Sequence, residues 1–158
     1  MKAIVLGLCL VAQMVLANYP MTAGAASAEG YRCTPTREDE MGPFYRPKAP
    51  LRSKIGSGYL LTGTVRSARD CAPLAHALIE FWQTGPDSRY DDNHRAAIIT
   101  GKSGAYQFET TAPAPYFTRP AHIHIRVEAP GFQVLVTQHY LQKKPQAAVF
   151  DLVLVPEL

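Results

Sequence analysis

Sulfur, tryptophan and one-sided charge are all scarce in this chain. Its 158 residues hold three cysteines and one tryptophan, and 16 Lys and Arg stand against 13 Asp and Glu. A formal net charge of +3 lacks the basic footprint that nucleic acid or an anionic membrane surface requires of a partner. None of the cysteines carries a metal-site or nucleophile pattern, which makes redox or thiolate catalysis the weaker reading. There is no amphipathic helical segment, internal repeat or low-complexity tract, so helical bundles and repeat arrays drop out. The longest apolar run, Ala3 to Ala17, is too short to cross a bilayer, which takes about 20 residues.

That run has a different reading. Lys2, the apolar stretch and the small residues ending Ala26-Ser27-Ala28 form a secretory signal peptide, cleaved after Ala28 or at the competing Ala23-Gly24-Ala25. The expected location is therefore periplasmic or secreted. Removing residues 1–28 leaves 158 minus 28, or 130 residues, enough for one domain with a single core. Lys plus Arg then falls from 16 to 15 against 13 acids, a balance of +2. Two cysteines remain, Cys33 and Cys71, in a compartment where disulfides persist. A bridge between them would contribute about 4 kcal/mol through loop entropy.

The remaining chain reads as short strands between Gly and Pro punctuation. Strands are expected over Tyr59 to Ser67, Ala75 to Gln83, Ala96 to Thr100, Ala105 to Thr110, the segment from His122, Gln133 to Leu141, and Ala148 to Val155. Gly101-Lys102-Ser103-Gly104 reads as a hairpin turn joining the third and fourth of these. Many short strands at this spacing predict an all-β, single-domain β-sandwich over residues 58–158, preceded by an irregular arm over 29–57.

The chemistry concentrates in Tyr116-Phe117-Thr118-Arg119-Pro120-Ala121-His122-Ile123-His124. From there Ile123, Ile125, Val127 and Ala129 alternate with His122, His124, Arg126 and Glu128, a period of two that reads as a strand. Successive strand side chains point to opposite faces, so His122 and His124 share one face as converging metal ligands must. Tyr116 precedes them, and Tyr90 offers a second phenol. Phenolate is a hard anionic donor, and two phenolates with two imidazoles favour ferric iron over zinc or copper.

These residues resemble the intradiol ring-cleavage dioxygenases, which include catechol 1,2-dioxygenases and protocatechuate 3,4-dioxygenases. The likeness runs through Cys33 to Thr36, Gly42-Pro43-Phe44-Tyr45, Gly63 to Val65, Cys71 to Leu74, Glu80-Phe81-Trp82 and Tyr90. It continues through Gly104 to Phe108, the Pro-x-Pro-Tyr turn ending at Tyr116, Arg-Pro-Ala-His-Ile-His and Thr137 to Tyr140. The resemblance implies four protein ligands, Tyr90, Tyr116, His122 and His124, to one Fe(III) per chain. It implies O2 as co-substrate and cleavage of a small catecholic ring between its hydroxyl-bearing carbons to a cis,cis-muconate. It implies that Arg119 and Gln138 act catalytically beside the metal. Larger members carry an N-terminal helical region that this chain replaces with a short arm, so the resemblance does not fix which catechol is the substrate or whether the chain forms a homo-oligomer.

Three points stay open at this level. Gln83 to Tyr90 departs from the family's acidic and glycine-containing approach to this ligand, and Asp91, Asp92 and His94 offer alternative donors. A tight two-residue turn at Pro130 and Gly131 would set Gln138 opposite Ile123, away from the histidines, whereas one extra residue would bring it to their face. His76, His94 and His139 read as solvated or hydrogen-bonded histidines, and Trp82 and Tyr106 as core or rim packing. The competing functions are a periplasmic copper- or zinc-binding sandwich without oxygenase chemistry, and a noncatalytic binding module.

Overall fold

A computed structural model describes residues 30–142 and 146–158; the expected signal peptide, 1–28, lies outside them. Eight strands follow in order: β1 Tyr59–Ser67, β2 Leu78–Gln83, β3 Arg95–Ile99, β4 Ala105–Thr110, β5 His122–Glu128, β6 Leu135–Tyr140, β7 Ala147–Val149 and β8 Leu152–Leu154. A three-residue 3-10 turn, Asp92–His94, is the only helical element among the described residues. One sheet runs β4-β1-β7 with β8 also paired to β1, and the other runs β3-β2-β5-β6. The chain is an all-β sandwich.

Strand alternation builds the core between the sheets. Ile123, Ile125 and Val127 of β5 and Ile79 and Phe81 of β2 are wholly buried, facing Leu61, Val65 and Phe108 of the first sheet. Phe81 and Phe108 stack across the gap with ring centroids 4.3 Å apart. Burying such side chains stabilises the fold by roughly 1.5–3 kcal/mol each.

Three expectations about strands are corrected. The segments flanking Gly101 and Gly104 do not pair as a hairpin: β3 pairs with β2 and β4 with β1. The turn is present, with the Gly104 amide donating to the Gly101 carbonyl, but it carries the chain from one sheet to the other. Ala96 and Phe108 both point into the core, each from its own sheet. The second strand begins at Leu78 rather than Ala75, because His76 adopts a φ of 59° and Ala77 donates to the Thr100 hydroxyl instead of a strand partner. The last expected strand is split. Its pairing with β1 is interrupted at Phe150 and Asp151, beside Gly63, where any Cβ would overlap the Phe150 carbonyl, and the Asp151 carboxylate accepts from the Thr64 amide.

Before β1 the chain is an irregular arm that wraps the sandwich. Cys33 is disulfide-bonded to Cys71. The Thr36 amide donates to the Val153 carbonyl, Asp39 to Val136, Arg52 to Ala97 and Ile55 to Glu109. The arm thus crosses the outer face of the β3-β2-β5-β6 sheet from β6 towards β3.

Candidate metal centre

The histidines occupy that outer face, opposite the core. Register sets their neighbours: His124 lies between Trp82 of β2 and Gln138 of β6, and His122 pairs with Tyr140. An outer sheet face is ordinarily wet, yet both histidines are only 2% exposed. The arm supplies the cover. Gly42, at a φ of +70°, passes so close that a Cβ there would sit 3.2 Å from His124 Cε1. Phe44 stacks on the Tyr90 ring at 4.4 Å, and Trp82 stacks on His124.

Three donors converge in this pocket. The Nε2 atoms of His122 and His124 are 3.1 Å apart, and the Tyr90 hydroxyl lies 3.4 Å from the first and 3.2 Å from the second. Ligand bonds of about 2.1 Å at right angles would set donors about 3.0 Å apart, close to this triangle. Donation from His122 Nδ1–H to the Pro120 carbonyl, at 2.7 Å, leaves Nε2 as a bare lone pair, the usual tautomer control at metal sites. His124 Nδ1 is buried without a hydrogen-bond partner. Tyr116 joins edge-on to the Tyr90 ring at 5.4 Å. Among the described residues no three His, Cys, Asp or Glu side chains cluster; the third donor beside the two imidazoles is the Tyr90 phenol.

Burial prepares these groups electrostatically. It lowers the pKa of His124 to about 3, with help from His122 and the Arg119 charge, and it lowers that of His122. Both imidazoles are therefore neutral lone-pair donors at neutral pH. Burial also raises the Tyr90 pKa to about 12, with Arg119 pulling against it. A bound cation reverses that penalty by favouring phenolate.

The neighbours of Tyr90 are committed elsewhere. The Asp91 carboxylate caps the 3-10 turn and accepts from His94 Nδ1 at 2.8 Å, and Asp92 pairs with Arg46 and Arg95. Gln138 faces the histidines. Val127 opposite Leu135 and His124 opposite Gln138 differ by one residue from the tight-turn register. Its Oε1 accepts from Arg119 Nη2 at 2.9 Å, and its Nε2 donates to the Glu40 carbonyl at 2.6 Å. Arg119 Nη2 also donates to the Tyr140 hydroxyl at 2.8 Å. His139 turns away and bonds Tyr59. A cavity of about 270 Å³ opens beside Tyr90, lined by Pro43, Phe44, Arg46, Trp82, Asp91 and Arg95.

Sequence reasoning assigned no site role to Tyr140, Phe44 or the Glu40 carbonyl. Tyr140 was within reach of strand alternation, being two residues from Gln138. The arm residues carry no periodic signal and could be placed only by the fold.

The dioxygenase family model matches residues 42–155. The chain belongs to the intradiol ring-cleavage dioxygenase family. A chlorocatechol 1,2-dioxygenase of Cupriavidus pinatubonensis is 30% identical over 135 residues, covering 64% of this chain and 52% of the relative. The chain thus spans about half the length of the curated relatives it matches. The dioxygenase domain of a dioxygenase carbohydrate-binding protein fusion from Streptomyces sp. SirexAA-E superposes with a TM-score of 0.72 at 28% identity, covering 78% of this chain and 100% of that domain. A hydroxyquinol 1,2-dioxygenase from Pseudomonas putida DLL-E4 shares the fold, with a TM-score of 0.70 at 19% identity over 80% of this chain and 68% of that one. Within this intradiol dioxygenase family member, the donor triangle, Arg119 and Gln138 share one covered sheet face.

Proposed function

We propose that this chain is an intradiol dioxygenase that holds one Fe(III) through Tyr90, Tyr116, His122 and His124 and uses O2 to open a small catecholic ring between its hydroxyl-bearing carbons, giving a cis,cis-muconate-type product. The observation that carries this reading is the triangle of two imidazole nitrogens and one phenol oxygen, with edges of 3.1, 3.2 and 3.4 Å. When bound, ferric iron supplies the Lewis acidity that ionises phenols and the electronic contact between a catecholate and dioxygen.

The protein's own contribution is position and charge. Pro120 orients His122, and Trp82 fixes the plane of His124. Arg119 brings a permanent cation that stabilises negative charge developing on a bound ring. Gln138 and Tyr140 hold the guanidinium, and the arm keeps water off the histidines. A copper or zinc site of imidazoles alone leaves the half-buried Tyr90 without a role.

Export through residues 1–28 belongs to the same proposal, and the Cys33 to Cys71 bridge suits an oxidising compartment. Metal analysis and a visible spectrum of the exported protein, before and after catechol and then oxygen, test the whole reading. Iron at one per chain, a tyrosinate band that shifts with catechol and is lost in Tyr90→Phe and Tyr116→Phe, and oxygen-dependent muconate are expected. A colourless protein that stays inert after iron loading, or one that retains only copper or zinc, would overturn it.

A further inference from the structure

Tyr116 and Arg119 are the two ends of one turn. The Tyr116 amide donates to the Arg119 carbonyl at 3.2 Å, and the Arg119 amide returns the bond to the Tyr116 carbonyl at 2.9 Å. This reciprocal pair closes a two-residue hairpin with Phe117 and Thr118 at its tip. Phe117 takes the first central position with a φ of +50°, where glycine is favoured and a bulky residue is strained. Its ring is 87% exposed. Folding supplies no reason for an aromatic side chain here, because the ring enters no core and the backbone disfavours it.

The surroundings supply one. Phe117 stands edge-on to Tyr116 with centroids 4.6 Å apart, and Tyr116 in turn stands edge-on to Phe44 at 5.3 Å and to Tyr90 at 5.4 Å. Aromatic surface therefore runs without interruption from the donor triangle to solvent. We propose that Phe117 is a specificity-determining residue at the mouth of the site, and that its exposed ring stacks on a second aromatic ring carried by the catecholic substrate. The assignment rests on the dioxygenase reading and names the substrate class within it: catechols bearing an aryl substituent. Arg119, at the other end of the same hairpin, reaches Gln138 and the Tyr140 hydroxyl on the histidine face, so the turn ties recognition of the outer ring to the charge beside the inner one.

The test compares catechol with a phenyl-substituted catechol on the iron-loaded, exported protein carrying Phe117→Ala, Phe117→Gly or Phe117→Tyr. Binding is read without oxygen, from the shift of the visible band, and kcat and KM are read with oxygen. Stacking of this kind predicts a loss of roughly three- to tenfold in affinity and kcat/KM for the phenyl-substituted catechol in the Ala and Gly variants, expressed in KM. Catechol should change by less than about twofold, the Tyr variant should retain the preference, and the Gly variant should melt no lower than the parent. If both substrates weaken equally, or neither changes, Phe117 does not select the substrate and the dioxygenase reading stands. If the parent protein neither binds nor cleaves either catechol, the dioxygenase reading falls and the assignment of Phe117 falls with it.

Discussion

Trp82 lies flat on His124, with ring centroids 4.9 Å apart and planes 6° from parallel. The contact follows from strand register, which sets the two residues directly opposite each other on β2 and β5. Trp82 is 2% exposed, and its indole N–H has no hydrogen-bond partner, so its role is shape. Trp82→Phe should keep the fold and the metal stoichiometry. Trp82→Ala should cost about 3–5 kcal/mol in stability and weaken metal binding by roughly tenfold or more, because the His124 ring loses its support. Thermal melts and metal titration measure both, and unchanged metal affinity in the alanine variant would remove Trp82 from the site.

Gln138 bridges Arg119 to the arm through the Glu40 carbonyl. Gln138→Leu leaves the carbonyl and one guanidinium hydrogen without this partner, a loss of about 1–3 kcal/mol. Iron content should stay at the parental level while kcat/KM for catechol falls roughly tenfold, as Arg119 loses its orientation. Loss of iron instead would show that Gln138 supports the ligands directly.

The interior pair formed by Tyr59 and His139 joins the two sheets, with the Tyr59 hydroxyl 2.7 Å from His139 Nε2. Phe150 packs on the same imidazole. Burial lowers the His139 pKa, so the folded state holds this ring neutral more firmly than the unfolded chain does. The corresponding stability is present above the unfolded value of about 6.5 and is lost as pH falls below it, because the unfolded chain then binds more protons. Urea midpoints of metal-free protein should decline between about pH 7 and pH 5. His139→Gln should flatten the decline without abolishing it, since His122 and His124 act in the same direction. An identical slope in that variant would show that His139 carries none of it.

Cys33 and Cys71 are separated by 38 positions. Closing a loop of that length contributes about 4 kcal/mol to stability in the chain-entropy account. Replacing both by serine should lower the urea midpoint accordingly and loosen the arm that covers the histidines, raising the solvent accessibility of Trp82. A variant with the parental midpoint would show that the bridge adds nothing to the folded state.

The strand bearing the histidines was legible because a half-covered strand writes its two faces into alternate positions, and Ile123, Ile125 and Val127 do face the core. Register was not legible. Whether Gln138 reaches Arg119 depends on one residue in the connection from Glu128 to Val134, which composition does not determine. The supposed hairpin at Gly101 to Gly104 failed for a related reason: a good turn fixes the local reversal of the chain but not the sheet that receives the next strand. Tyr90 was named from the resemblance and its spacing from Trp82, and the fold sets its hydroxyl 3.4 and 3.2 Å from the two imidazoles while Asp91 and Asp92 bond elsewhere. The arm was readable as irregular, while its position over His124 depends on long-range bonds that leave no pattern in sequence.

The hairpin closed by Tyr116 and Arg119 is held by its base, and its tip carries none of those bonds. Hairpins accept loops of three to five residues as well as two, so residues can be added between Phe117 and Thr118 while the base pair keeps the Tyr116 and Arg119 side chains in place. Length at that tip is a modular variable. Mouths of different reach can be built there by insertion alone, leaving the donor triangle beneath them untouched.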